Sequence, residues 1–202
     1  MAPDDKEAMD GRLEHNMGRS FSPPMRQNLN AVQALRGNLA IWRDSNASDA
    51  EKAIAFCWIL HITGDIHQPL HTVALFSQSF FPKGDRGGNR IEVIQEPDNS
   101  NLHAVWDGLP TDLPDLTPSD RTRKVIESDV VNDAAIDAWV NSHAELAVRF
   151  VYPEEVKGQL VARLSNQQSP SVELSTEYLV VARAVARRQV NLAGHRIASL
   201  IE

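Results

Sequence analysis

Apolar residues recur at intervals of three and four in three separate stretches of this sequence, and that period makes its core helical. Leu29, Val32, Leu35, Leu39 and Trp42 predict an amphipathic helix over residues 25–43. Ile136, Val140, His143, Ala144, Ala147 and Val151 form a second stripe. Tyr178, Ala182, Val185, Ala186, Ala193, Ile197 and Leu200 predict a long C-terminal helix. A further helix should begin at Ser48-Asp49-Ala50-Glu51, which has the capping-box pattern, and run through Ala53, Phe56, Cys57 and Leu60. Pro69 should end it, because proline lacks a backbone donor and its ring clashes with the preceding turn. Alternation is confined to Ile91 and Val93 against Arg90 and Glu92, directly after the glycine-rich turn Gly84-Asp-Arg-Gly-Gly-Asn89. The expectation is an all-α, single-domain fold of five or six helices over 25–202. A short β-hairpin excursion lies near 84–95, and an irregular segment occupies 1–24. A short helix is expected over 102–108, a connecting loop at Pro110, Pro114 and Pro118, and a linker over 165–171.

Composition narrows the function classes. The single cysteine, Cys57, excludes an internal disulfide and reads as a small buried hydrophobe. No apolar run approaches the roughly 20 residues that span a bilayer, and no signal peptide is visible in this chain. The formal charge of −7 lacks the basic footprint of a duplex binder. Bound divalent cations would reverse the local sign, so nucleic acid stays open as a ligand.

The dense chemistry lies in Trp58-Ile-Leu-His61-Ile-Thr-Gly-Asp65-Ile-His67-Gln-Pro69-Leu-His71. Four residues separate His61 from Asp65, which puts both on one helical face within reach of one cation. His71 follows the proline break, where the chain can fold back towards that face. Asn101-Leu-His103-Ala-Val-Trp106-Asp107 repeats the spacing with His103 and Asp107. Five nitrogen and oxygen donors suit zinc. An i,i+4 His–Asp pair is also an ordinary ion pair, and spacing alone leaves both readings open.

The run from His61 to His71, followed in order by the 84–89 turn and Asn101–Asp107, resembles the signature of the zinc-dependent single-strand-specific nuclease family of the mung bean nuclease type. Ala193-Gly194-His-Arg196-Ile-Ala198 is similar to that family's closing helix. The resemblance, over roughly 29–202, implies the phospholipase C/nuclease fold, a cluster of three zincs, and hydrolysis of single-stranded DNA and RNA by metal-activated water. It also implies removal of 3′-phosphates from nucleotides, and secretion or periplasmic export. By the same resemblance His71, His103 and Asp107 would hold one zinc, His61 a second, and Asp65 would bridge towards the third as a catalytic residue. Asn89, the second catalytic residue the resemblance implies, matches with Gly87 and Gly88 the turn beside the scissile phosphate that contacts a base.

The family's earlier ligands have no match here: residue 1 is Met, Trp42 sits in a helix, and His15 reads as a loop residue. The chain is expected to be N-terminally incomplete, with one full three-ligand zinc set and two partial ones. A non-catalytic zinc-binding fragment is therefore one alternative. Zinc phospholipase C, which shares the fold, is another, and the Gly-Gly-Asn turn argues against it. His67 reads as a surface residue or a support to the ligands. His143 and His195 read as structural, and Trp58, Trp106 and Trp139 as core. The Arg187-Arg188 pair reads as a solvated face. Lys83 and Arg86 flank the glycine turn and are candidates for steering phosphate.

Overall fold

The computed structural model describes residues 13–15, 30–95, 99–112, 123–124, 132 and 135–201. It is mostly helical, in the order β1 (Leu13–His15), α1 (Ala31–Arg43), α2 (Asp49–Asp65), α3 (Pro69–Thr72), β2 (Val73–Leu75), β3 (Glu92–Val93) and β4 (Ser100–Asn101). Then follow α4 (Leu102–Gly108), a 3-10 turn (Leu109–Asp112), α5 (Ala135–Leu146), a π-helical turn (Ala147–Val151), α6 (Glu154–Ser165), β5 (Ser171–Val172) and α7 (Thr176–Ile201).

Two capping boxes set the first helix starts. Asn30 accepts from the Gln33 amide while the Gln33 side chain accepts from the Asn30 amide, and Ser48 with Glu51 does the same for α2. The α1 core positions Val32, Leu35 and Leu39 are buried as predicted. Leu29, Pro114 and Pro118 lie outside the described residues.

In α2 the predicted stripe is corrected. The buried residues are Ala55, Ile59, Ile62 and Thr63, while Ala53, Cys57, Trp58 and Leu60 are exposed. The helix is apolar on nearly every side, so period alone cannot choose its inner face. Packing against α1 and α7 chooses it, leaving Cys57 and Trp58 outside.

The core has two parts. One gathers Leu35, Leu39, Ile59, Ile66, Ile136, Trp139 and Leu200; the other gathers Leu70, Phe81, Ile91, Leu102, Trp106, Tyr152, Val172 and Tyr178. Ile66 belongs to the first and Leu70 to the second, so the segment joining α2 to α3 is anchored at both ends. Each such side chain contributes roughly 1.5–3 kcal/mol by leaving water.

The β excursion is larger than predicted. β3 pairs antiparallel with β4, so the hairpin extends to Asn101, and it also pairs parallel with β5. Residues 165–171 are therefore not merely a linker, since Ser171 begins that strand. The expected irregular segment is corrected at 13–15: β1 pairs antiparallel with β2, so His15 is a strand residue opposite Val73 rather than a loop residue. The helix α6 carried no sequence expectation. No helix among the described residues is long and apolar enough to cross a membrane.

Candidate metal centre

Three short elements present the donors. α2 carries His61 and Asp65 through its last turn. Gln68 then caps α3, its side chain accepting from the Leu70 amide at 2.6 Å, with Pro69 at the first helical position where no amide is needed. This single turn presents His71. Asn101 caps α4 by accepting from the Ala104 amide at 2.8 Å, and α4 carries His103 and Asp107 one turn apart.

The five predicted donors form one continuous chain of contacts. His61 Nε2 lies 3.3 Å from Asp65 Oδ2, and His71 Nδ1 lies 3.5 Å from Asp65 Oδ1. His71 Nε2 is 3.2 Å from Asp107 Oδ1, and His103 Nε2 is 3.4 Å from Asp107 Oδ2. The His71 and His103 rings stack with centroids 4.9 Å apart and planes 3° from parallel. One donor atom from each of His71, His103 and Asp107 lies within 4.8 Å of the other two. Tetrahedral zinc with nitrogen and oxygen ligands holds its donors about 3.3 Å apart, so the trio fits such an ion with small side-chain adjustments. His61, with a side chain 64% exposed, stands at the outer end of the chain.

The glycine turn holds this arrangement from behind. Gly84, Gly87 and Gly88 all have positive φ, a region glycine enters without a steric penalty. The Gly87 carbonyl accepts from His103 Nδ1 at 2.7 Å, which leaves Nε2 as the lone-pair nitrogen facing Asp107. Gly88 lies so close to α4 that a Cβ there would sit 3.2 Å from the His103 amide. Asn89 is exposed, with its side-chain amide donating to the Arg86 carbonyl at 2.9 Å.

Two residues with no sequence signal of their own complete the site. Gln68 Nε2 donates to Asp107 Oδ1 at 2.9 Å, so the residue that caps α3 also fixes the shared carboxylate. Asp85 is fully buried in the turn and accepts from the Leu75 amide at 3.0 Å and the Tyr152 hydroxyl at 2.6 Å. Burial pushes its carboxyl above the ordinary value of 3.8, while the Tyr152 hydroxyl and the amides of Leu75, Gly88 and Gly87 pull the other way. An aspartate between glycines was legible only as a turn residue, because its partner Tyr152 is distant in sequence.

Asp85→Asn should cost about 2–3 kcal/mol, since an amide NH2 would face backbone donors that now have an acceptor. The effect also has a pH signature. A folded pKa raised by burial means this carboxyl's contribution is fully present below the unfolded value and is lost as pH rises through the folded value. The Tm gap between wild type and Asp85→Asn should therefore narrow from about pH 4 towards neutrality. A gap that widens with pH would contradict this account of Asp85.

The other predicted residues divide plainly. His67 is buried and points away from the donors: its Nδ1 donates to the Thr63 carbonyl at 2.6 Å and its Nε2 accepts from Arg196 at 2.8 Å. The surface reading of His67 is thus corrected, and the closing-helix residue Arg196 ties α7 to the turn between Asp65 and His71. Arg196 also lies 4.5 Å from the Trp139 ring. His143 is buried against Thr72, and Trp106 is buried with its indole donating to Tyr178. A cavity of about 670 Å³ opens beside the donors and is lined by Asp65, His71, His103, Phe76, Lys83 and Arg86, among others.

Residues 19–202 match the family described as S1/P1 Nuclease. Among curated proteins the chain is similar to Nuclease S1 of Aspergillus oryzae, with 24% identity over 189 residues, covering 85% of this chain and 61% of the relative. It is also similar to Endonuclease 5 of Arabidopsis thaliana, with 27% identity over 158 residues, covering 73% and 49%. A shorter match to Endonuclease 3 of the same plant reaches 44% identity over 55 residues. The chain thus spans less than two-thirds of the length of these relatives.

Proposed function

Because this chain belongs to the S1/P1 nuclease family, we propose that it hydrolyses phosphodiester bonds in single-stranded DNA and RNA, and 3′-phosphates of nucleotides, using zinc. The observation that carries this reading is the stacked His71–His103 pair sharing Asp107 at the edge of a cavity large enough for a nucleotide. His71, His103 and Asp107 would hold one zinc, and His61 with Asp65 would contribute to others. Bound zinc supplies Lewis acidity and water activated near neutral pH.

The chain's own groups supply position and a carboxylate. Gly87 and Gln68 orient His103 and Asp107 by the hydrogen bonds described. Asp65, half-exposed on the cavity wall between two imidazoles, would act as the catalytic carboxylate of the site. Gly87 lines the cavity, and Gly87, Gly88 and Asn89 would lie beside the scissile phosphate and its base. A stacked duplex fits a concave site poorly, whereas a single strand can turn a base into it. Export from the cell belongs to the same reading, through the family resemblance.

The test is hydrolysis of single-stranded and duplex DNA by the full chain, with chelator, then with zinc restored. Cleavage of the single strand that stops and returns is expected. Inactivity at saturating zinc would overturn the reading. It would favour a second one, a non-catalytic zinc-binding module, to which one observation points: His71, His103 and Asp107 are the only such trio among the described residues. Metal analysis separates the two, at about three zincs per chain against about one.

A further inference from the structure

The cavity beside the donors carries two cations for which the hydrolytic chemistry has no use. Lys83 and Arg86 both line it, together with Asp65, His71 and His103. Most other cations whose contacts are described are engaged: Arg36 with Asp137, Arg90 with the Gly84 carbonyl, Arg196 with His67. Among the described residues no ion pair or hydrogen bond involves the side chain of Lys83 or Arg86, and both are exposed. Two unpaired cations on the wall of one cavity, in a chain of net charge −7, place positive charge locally beside the donors.

Their position is built rather than incidental. Arg86 is held at φ 58, a left-handed conformation that non-glycine residues adopt at a cost of about 1–3 kcal/mol and that clusters at ligand sites. The turn enforces it: the Arg86 carbonyl receives the Asn89 side-chain amide, and the Arg90 amide donates to the Asp85 carbonyl at 3.0 Å. On the same wall, Gly84 packs so closely under the Phe76 ring that a Cβ would lie 3.2 Å from it. The loop carrying both cations is therefore pinned at each end.

We propose that Lys83 and Arg86 bind a phosphate of the strand adjacent to the scissile one, and so select polynucleotide chains over 3′-mononucleotides. Arg86 offers a planar fork suited to two phosphate oxygens and Lys83 a mobile point charge. A 3′-mononucleotide has no second phosphate to place there, whereas every internal linkage of a strand does. This inference rests on the hydrolase reading above, which places the scissile phosphate at the donors.

The experiment compares wild type with Lys83→Ala/Arg86→Gly, where glycine suits the left-handed backbone and preserves the turn, and with Arg86→Lys, which keeps the charge. Binding of a fluorescein-labelled thymidine oligonucleotide with phosphorothioate linkages is followed by anisotropy across a salt series, on zinc-loaded protein. The double variant should bind more weakly, with the log–log salt slope smaller by about 0.7, the value for one single-strand phosphate contact. The kcat/KM for a thymidine oligonucleotide should fall at least about tenfold further than that for 3′-thymidine monophosphate. Arg86→Lys should retain most of the salt slope. An unchanged slope, or an equal fall on both substrates, overturns the proposal. If wild type hydrolyses neither substrate the hydrolase reading fails, and an unchanged slope in an active enzyme sinks only this inference.

Discussion

His103→Ala should lower zinc-dependent hydrolysis of single-stranded DNA by about a thousandfold, the equivalent of the several kcal/mol a bound metal supplies. His103 is one corner of the trio with His71 and Asp107, and its Nε2 lies 3.4 Å from the carboxylate that His71 also faces. Removing the imidazole leaves two donors, fewer than the three protein ligands of a catalytic zinc. It also strips the stacking partner from His71 and the hydrogen bond from the Gly87 carbonyl. Zinc affinity, measured by competition with a chromogenic chelator, should fall together with activity. An unchanged affinity would remove His103 from the metal centre altogether.

Gly87→Ala should destabilise the protein by at least about 3 kcal/mol, near the upper end for single substitutions. A Cβ at this position would lie 2.1 Å from the Leu70 carbonyl oxygen, and the backbone at φ 60 is one that alanine resists. The Leu70 carbonyl belongs to the peptide that leads into His71, and the Gly87 carbonyl holds His103. The turn cannot retreat without spoiling the alignment of both imidazoles. A Tm lowered by roughly 6–12 °C is expected at this chain length, with zinc affinity reduced about 10–100-fold. Gly158→Ala is the contrast, because space around it is open and its backbone is helical. That change should stabilise by roughly 0.5–1 kcal/mol. If Gly87→Ala melted like wild type, the close approach between turn and α3 would not exist.

Much of the site was legible because its determinants are local. Four-residue spacing places His61 with Asp65, and His103 with Asp107, on the faces of short helices, and Pro69 marks where the chain must turn. The capping box at Ser48 located the start of α2 to the residue. Burial was less legible. Cys57 and Trp58 were expected inside and stand outside, since an all-round apolar helix carries no sign of which face its neighbours will cover. His67 has the residue type of a ligand, yet its tautomer and direction are set by Thr63 in the last turn of the preceding helix and by Arg196, distant in sequence. The roles of Gln68 and Asp85 are likewise set by distant partners, Asp107 and Tyr152, and β5 passed for a linker because two residues are too short for any periodicity to register.

The pairing of β3 with β5 bears on how the molecule comes into being. Glu92, just behind the glycine turn, finds its neighbour Ser171 roughly eighty residues further along, a separation that delays contact formation relative to helices. During synthesis α1 and α2 can form as soon as they leave the ribosome, whereas the wall that orients His103 must wait for the final third of the polypeptide. The donors of the proposed metal centre are thus aligned late, and hydrogen exchange during refolding should find the 84–94 amides protected after those of α1 and α2.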